Sequence, residues 1–169
     1  VDHRGSNSLG FRFEELSRRP FLPEKAEALD IPPGPWRRDL VRGKTVKLPD
    51  GRSINPEQVL GEVRQGTSLV VVGDTGRADK LIPYVSGADA LVIEATYIEE
   101  EGELADRFGH LTAAQAASLA KESGVRELFL THLSRRYRER DVLNEAQVIF
   151  PDVHVARDFD RFQIRREDE

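Results

Sequence analysis

The chain has 169 residues, and 25 Lys+Arg against 30 Asp+Glu leave a formal net charge of -5. That length suits one domain with a real core, and the interspersed signs of its 33% charged residues exclude wholesale disorder. With no Cys there are no disulfides, thiolate metal sites or Cys nucleophile, and no apolar run approaches the ~18–20 residues of a membrane span.

Residues 1–16 read as one strand entered from a loop. Leu9, Phe11 and Phe13 alternate with Gly10, Arg12 and Glu14, the period of a half-buried strand. Residues 17–61 differ. They hold most of the prolines, Pro20, Pro23, Pro32, Pro33, Pro35 and Pro56 among them. A short helix is expected from about Glu24 to Leu29, and Pro32-Pro33-Gly34-Pro35 is expected to be neither helix nor central strand. From Arg18 to Arg52, nine Lys/Arg minus five Asp/Glu gives a local charge of +4. The segment reads as an excursion from the core.

Regular structure returns with three continuous apolar runs, Leu69–Val72, Ala90–Ile93 and Leu128–Leu130. Such runs predict strands buried on both faces. Between the last two lies a helix, capped by Thr112 with Gln115 completing a capping box, stopped by Gly124, and apolar along Ala113, Ala116, Ala117 and Ala120. Asp141–Phe150 is a further helix, and Val153–Ala156 and Arg161–Ile164 are further strands. Three strand ends therefore deliver Asp74, Glu94 and His132, and a helix start lies beside His110. In layered α/β folds, chemistry gathers at such ends.

There are four His. His154 lies within a strand and reads as structural, facing away from apolar neighbours. His3, His110 and His132 flank core elements beside Gly, Ser or Thr. Imidazole and carboxylate at strand ends suit hydrolytic zinc, where an open position carries water; hydrogen-bonded core histidines are the competing explanation.

The residues also carry a resemblance. Asp2-His3 followed by Leu9-Gly10-Phe11-Arg12, then Ile31-Pro32-Pro33-Gly34-Pro35, Gly73-Asp74-Thr75, Glu94-Ala95-Thr96-Tyr97, His110-Leu111-Thr112 and Thr131-His132-Leu133-Ser134-Arg135-Arg136-Tyr137, in that order, resemble the ribonuclease Z family of the metallo-β-lactamase superfamily. The resemblance implies the C-terminal part of such a domain over residues 1–169: half of an αββα sandwich with a protruding Pro/Gly-rich arm. The family's His-x-His-x-Asp-His motif is not in this sequence. Nor is there a Met, so the chain is expected to begin inside a longer polypeptide and to be inactive alone.

By the same resemblance, two zinc ions in the full protein draw His3, Asp74 and His132 from this chain, with Asp74 bridging. His110 protonates the leaving 3′ oxygen and Glu94 orients it. The family's Ser and His at positions 111 and 93 are here Leu111 and Ile93, departures expected to weaken the network around His110. Residues 17–61 correspond to a tRNA-gripping arm, with Gly34-Pro35 at its tip. Arg37, Arg38, Arg42, Lys44 and Lys47 are its expected phosphate contacts, and Arg135, Arg136 and Arg138 form a second basic cluster near the site. Glu99–Glu103 reads as a solvated loop. The implied function is zinc-dependent removal of the 3′ trailer from precursor tRNA, by a cytoplasmic homodimer without a membrane span. The alternatives are a phosphodiesterase of the same superfamily acting on small substrates, or a non-catalytic RNA-binding fragment.

Overall fold

The computed structural model describes residues 1–165. In chain order, β1 (Asp2–His3) and β2 (Ser6–Asn7) form a hairpin, followed by β3 (Gly10–Glu14). Then come α1 (Pro23–Ala28), α2 (Pro35–Val41), β4 (Val46–Lys47) and β5 (Ser53–Ile54). β6 (Ser68–Val72), α3 (Ile82–Val85), β7 (Ala90–Glu94), α4 (Gly102–Phe108) and α5 (Ala113–Glu122) follow. The last elements are β8 (Glu127–Thr131), α6 (Glu139–Ile149) and β9 (Val153–Val155). No described helix is long and apolar enough to cross a membrane.

Two compact units divide the chain: Val1–Glu14 with the chain from Thr67 onward, and Glu15–Gly66. In the first, five strands form one sheet in the order β3-β6-β7-β8-β9, with β3 antiparallel to β6 and the rest parallel. Mixed α/β architecture follows from the apolar runs. Val70, Leu91 and Leu128 lie side by side in register and sit under the helices with Ala113, Ala116, Ala117, Ala120, Val142 and Ala146. The small alanine face lets α5 approach the sheet closely. Thr112 accepts the Gln115 backbone N–H at 3.1 Å and Gln115 accepts that of Thr112 at 3.0 Å, so the capping box forms as the sequence predicts. Gly124 ends the helix at φ 63°.

The opposite sheet face corrects the expectation of a half-buried first strand, for β3 is exposed along its whole length. Phe11, Val71, Val92 and Phe129 make one cross-strand row there, yet Phe11 is 53% and Phe13 56% exposed. Among the described residues, helices cover only one face. Phe129 is shielded because the Phe162 ring packs 4.6 Å away. Residues 161–165 form no strand, contrary to expectation; Phe162 serves as a cover instead. His154 also differs from its reading, for its ring stacks on Phe129 at 5.1 Å. Glu99–Glu103 is not a loose loop either. It forms a short 3-10 turn and the start of α4, where Glu99 accepts from the Thr112 hydroxyl at 2.7 Å and Glu101 from Tyr137 and Arg136.

The second unit has its own core of Ala26, Ile31, Leu40, Val46, Leu48, Ile54 and Val59, edged by Phe21, Leu29 and Trp36. Residues 17–61 fall inside it. The predicted helix at Glu24–Leu29 is α1. The Pro-rich run holds a helix start that the sequence reading missed: Gly34 caps α2 at φ 127°, and Pro35 takes the first position, where its missing N–H costs nothing.

Candidate metal and acid–base site

The C-terminal ends of β6, β7 and β8 lie side by side because these strands are parallel and in register. They deliver Asp74, Glu94 and His132 to one edge. The β1–β2 hairpin adds His3. It is anchored there by its main chain, since Asp2 O accepts from Gly76 N at 2.9 Å and from the Thr75 hydroxyl at 3.3 Å. His110 arrives from the turn between α4 and α5. The three rings meet in a chain, His3 to His110 at 4.8 Å and His110 to His132 at 5.3 Å between centroids.

Glu94 is the hub. Its carboxylate is 1% exposed and accepts from Thr75 N (2.7 Å), Leu111 N (3.2 Å), the Thr96 hydroxyl (2.5 Å) and His110 Nδ1 (2.8 Å). Burying a carboxylate without such partners is costly, so the four donors are what permits it here. Glu94 and Thr96 reach the same network because they are two residues apart on an extended chain.

Which ring nitrogens face outward follows from the acceptors on the other side of each ring. A carboxylate oxygen only accepts, so His110 holds its proton on Nδ1 toward Glu94 and presents Nε2. Gly109 O only accepts, so His3 donates from Nδ1 at 2.8 Å and also presents Nε2. Thr96 gives its one hydroxyl hydrogen to Glu94, so it accepts from His132 Nδ1 at 2.8 Å. His132 is held in a left-handed backbone conformation, φ 54°. Asp74 Oδ1 lies 3.4 Å from His132 Nδ1. Second partners of this kind fix the orientation of metal-binding imidazoles.

Two overlapping sets of donors result, with ligand atoms within 4.8 Å of one another: His3, Asp74 and His110, and Glu94, His110 and His132. Nitrogen and carboxylate donors fit a divalent zinc-like ion in kind. The five site residues named from the sequence are thus brought together. Thr96 and the Gly109 carbonyl were missed as parts of the network; the two-residue step from Glu94 to Thr96 was the available signal for the first.

The two departures sit differently from expectation. Ile93 is fully buried beneath the helices, facing away from the site, and Leu111 is 1% exposed in the same core, contributing only its backbone N–H to Glu94. The network around His110 closes without either side chain.

The basic residues divide. Arg38, Arg42, Lys44 and Lys47 are exposed on the second unit, as are Gly34 and Pro35. Arg37 is engaged inside it, with Nε and Nη2 donating to Ile31 O at 2.9 and 2.6 Å. Arg135 and Arg138 are exposed beyond His132, whereas Arg136 pairs with Glu101 at 3.3 Å.

The Beta-lactamase superfamily domain family matches residues 38–133. A protein named Ribonuclease Z from Bradyrhizobium diazoefficiens is 45% identical over 164 residues, 97% of this chain and 54% of its own length. Another of that name, from Bradyrhizobium sp., is 48% identical over 164 residues, with the same 97% and 54% shares. The chain therefore spans about half the length of the curated relatives it matches. Among solved structures, the metallo-beta-lactamase fold protein YhfI from Bacillus subtilis aligns with a TM-score of 0.50 and 30% identity, over 53% of this chain and 37% of that one.

Proposed function

The chain belongs to the beta-lactamase superfamily, and from that premise we propose that it forms part of a metal-dependent endoribonuclease that removes the 3′ trailer from precursor tRNA. The observation that carries the reading is the Glu94 hub. One buried carboxylate orients His110 directly and His132 through Thr96, and His110 lies within ligand reach of His3 and Asp74. The similarity to proteins named Ribonuclease Z supports RNA as the substrate.

In this reading His3, Asp74 and His132 would hold metal, and zinc is the ion best matched to imidazole and carboxylate. A bound metal pair would supply an activated water and polarise the scissile phosphate. The chain's own residues do the rest. Asp74 would offer its carboxylate as a ligand. His3 and His132 present Nε2 lone pairs because their Nδ1 protons are occupied. His110 aims Nε2 into the site, where a proton passes to the 3′ oxygen as its bond to phosphorus breaks. Glu94 steadies the imidazolium before that transfer.

Residues 17–61 act as the arm that grips the tRNA, through exposed Arg38, Arg42 and Lys44 around Gly34-Pro35. Arg37 shapes the arm, and Arg135 and Arg136 lie nearer the chemistry. The enzyme works as a cytoplasmic homodimer. The test is incubation of the full-length protein with precursor tRNA carrying a 3′ trailer. Endonucleolytic release of the trailer, abolished by chelation and restored by zinc, supports the reading. Intact precursor beside rapid hydrolysis of bis(p-nitrophenyl) phosphate would favour the small-substrate phosphodiesterase instead.

A further inference from the structure

Beside the His3–His110 pair lies a group that the catalytic reading leaves unused. Arg4 follows His3 and Phe108 precedes Gly109-His110. The Arg4 guanidinium sits 5.7 Å from the centre of the Phe108 ring and that of Arg107 5.6 Å. Phe108 is 41% exposed, a large value for an aromatic ring, and both arginines are exposed. Among the described residues neither guanidinium has a carboxylate partner, unlike Arg12, Arg19, Arg52, Arg77, Arg126, Arg136 and Arg157.

The backbone is shaped to place them. Arg4 adopts φ 42° in the β1–β2 turn, a conformation that Gly, Asn and Asp usually take. Its stem lies over Gly109, where a Cβ would come 2.6 Å from Arg4 Cγ. Gly109 is itself left-handed at φ 74°, and its carbonyl holds His3. Arg4 and Phe108 are therefore brought together by the same contact that joins His3 to His110.

We propose that Arg4, Phe108 and Arg107 form a subsite for a single-stranded RNA nucleotide flanking the scissile phosphate. The guanidinium charges hold its phosphate, and the ring and guanidinium planes stack its base. Charge interleaved with an exposed aromatic is the chemistry that grips single strands without reading sequence. The proposal rests on the reading of the site as an RNA-cleaving one.

The probe is a short single-stranded RNA carrying 2-aminopurine, titrated into the full-length protein. The wild type quenches the fluorescence on binding. Phe108→Ala abolishes most of the quench and weakens binding about tenfold, in the range of one base–aromatic stack, while Phe108→Tyr keeps both. Arg107→Gln lowers affinity and reduces the slope of log affinity against log salt by about 0.7, the value for one phosphate contact on a single strand. Hydrolysis of bis(p-nitrophenyl) phosphate, which has no flanking nucleotide, is unchanged in all three variants. Wild-type binding by Phe108→Ala and Arg107→Gln would overturn the subsite. So would equal losses on the small ester, which would make these residues supports for His3 and His110. If Phe108-dependent binding held but wild-type protein left precursor tRNA uncut, the endonuclease reading would fall and the subsite would stand.

Discussion

At the residue scale, the buried hydrogen-bond network converges on Glu94. His110 and His132 lie close together, 5.3 Å between centroids, but their Nδ1 partners differ: the Glu94 carboxylate for one, the Thr96 hydroxyl for the other. His110→Ala is expected to lower kcat by about 10²–10⁴-fold, the usual worth of a general acid, with metal content unchanged. His132→Ala is expected to lose metal and activity together. Because His110 stands within ligand reach of both donor sets, metal analysis of His110→Ala is decisive. Loss of metal there would make it a ligand and end its assignment as the acid. Thr96→Val tests the bridge separately. It keeps the shape but removes the acceptor that holds His132, so metal affinity should fall roughly 10–100-fold, as for other partners of metal-binding imidazoles. Thr96→Ser should restore it. Unchanged affinity in Thr96→Val would show that His132 needs no such support.

At the element scale, the site depends on loops packed backbone against backbone. A Cβ on Gly76 would meet Gly109 Cα at 2.9 Å, so the loop carrying Asp74 and the turn carrying His110 touch without side chains between them. Gly109 also closes α4: its φ of 74° turns the chain, and His110 N returns to Ala105 O at 2.9 Å. Gly109→Ala should cost about 1–2 kcal/mol from the left-handed backbone alone, with a further loss as its Cβ pushes Arg4 away. Thermal unfolding gives the stability change. Turnover should fall by more than stability predicts, since His110 and the carbonyl that holds His3 both shift. A variant with lower melting temperature but unaltered turnover would show that the turn is only structural.

At the scale of the whole molecule, the two units have separate cores. Within the second unit, Arg18 and Arg64 exchange backbone hydrogen bonds of 2.9 and 2.7 Å. Deleting 20–47 would remove Ile31 and Leu40 and strand Leu48, Ile54 and Val59, so the cleaner excision is 19–63, closed by a short linker. In the full-length protein that excision should leave hydrolysis of bis(p-nitrophenyl) phosphate nearly intact and collapse processing of precursor tRNA. Equal losses on both would make the unit a structural support. The open sheet face gives another expectation. Phe11 and Phe13 lie 6.2 Å apart, both more than half exposed, beside Leu69, Val71 and Val92. An apolar patch of this kind drives association. The isolated 169-residue chain should dimerise or aggregate in sedimentation experiments, and Phe11→Ser with Phe13→Ser should reduce it. A monodisperse monomer at high concentration would contradict this.

Local signals in the sequence were sufficient for much of this. Apolar runs set β6, β7 and β8, and the Thr112–Gln115 box set the start of α5, because a cap or a buried strand is written in adjacent residues. The positions just past those runs marked Asp74, Glu94 and His132, since parallel strands bring their C-terminal ends to one edge. Other features were decided only in three dimensions. Ile93 and Leu111 looked like gaps in a polar network, but strand alternation and the turn at Gly109 direct both into the core. His154 read as facing away from apolar neighbours, but its ring lies against Phe129 and Phe162. Which sheet face is covered depends on where α3, α5 and α6 pack, which no single strand specifies. The pairing of Arg4 with Phe108, over a hundred residues apart, exists only because the His3–Gly109 hydrogen bond joins the β1–β2 turn to the end of α4.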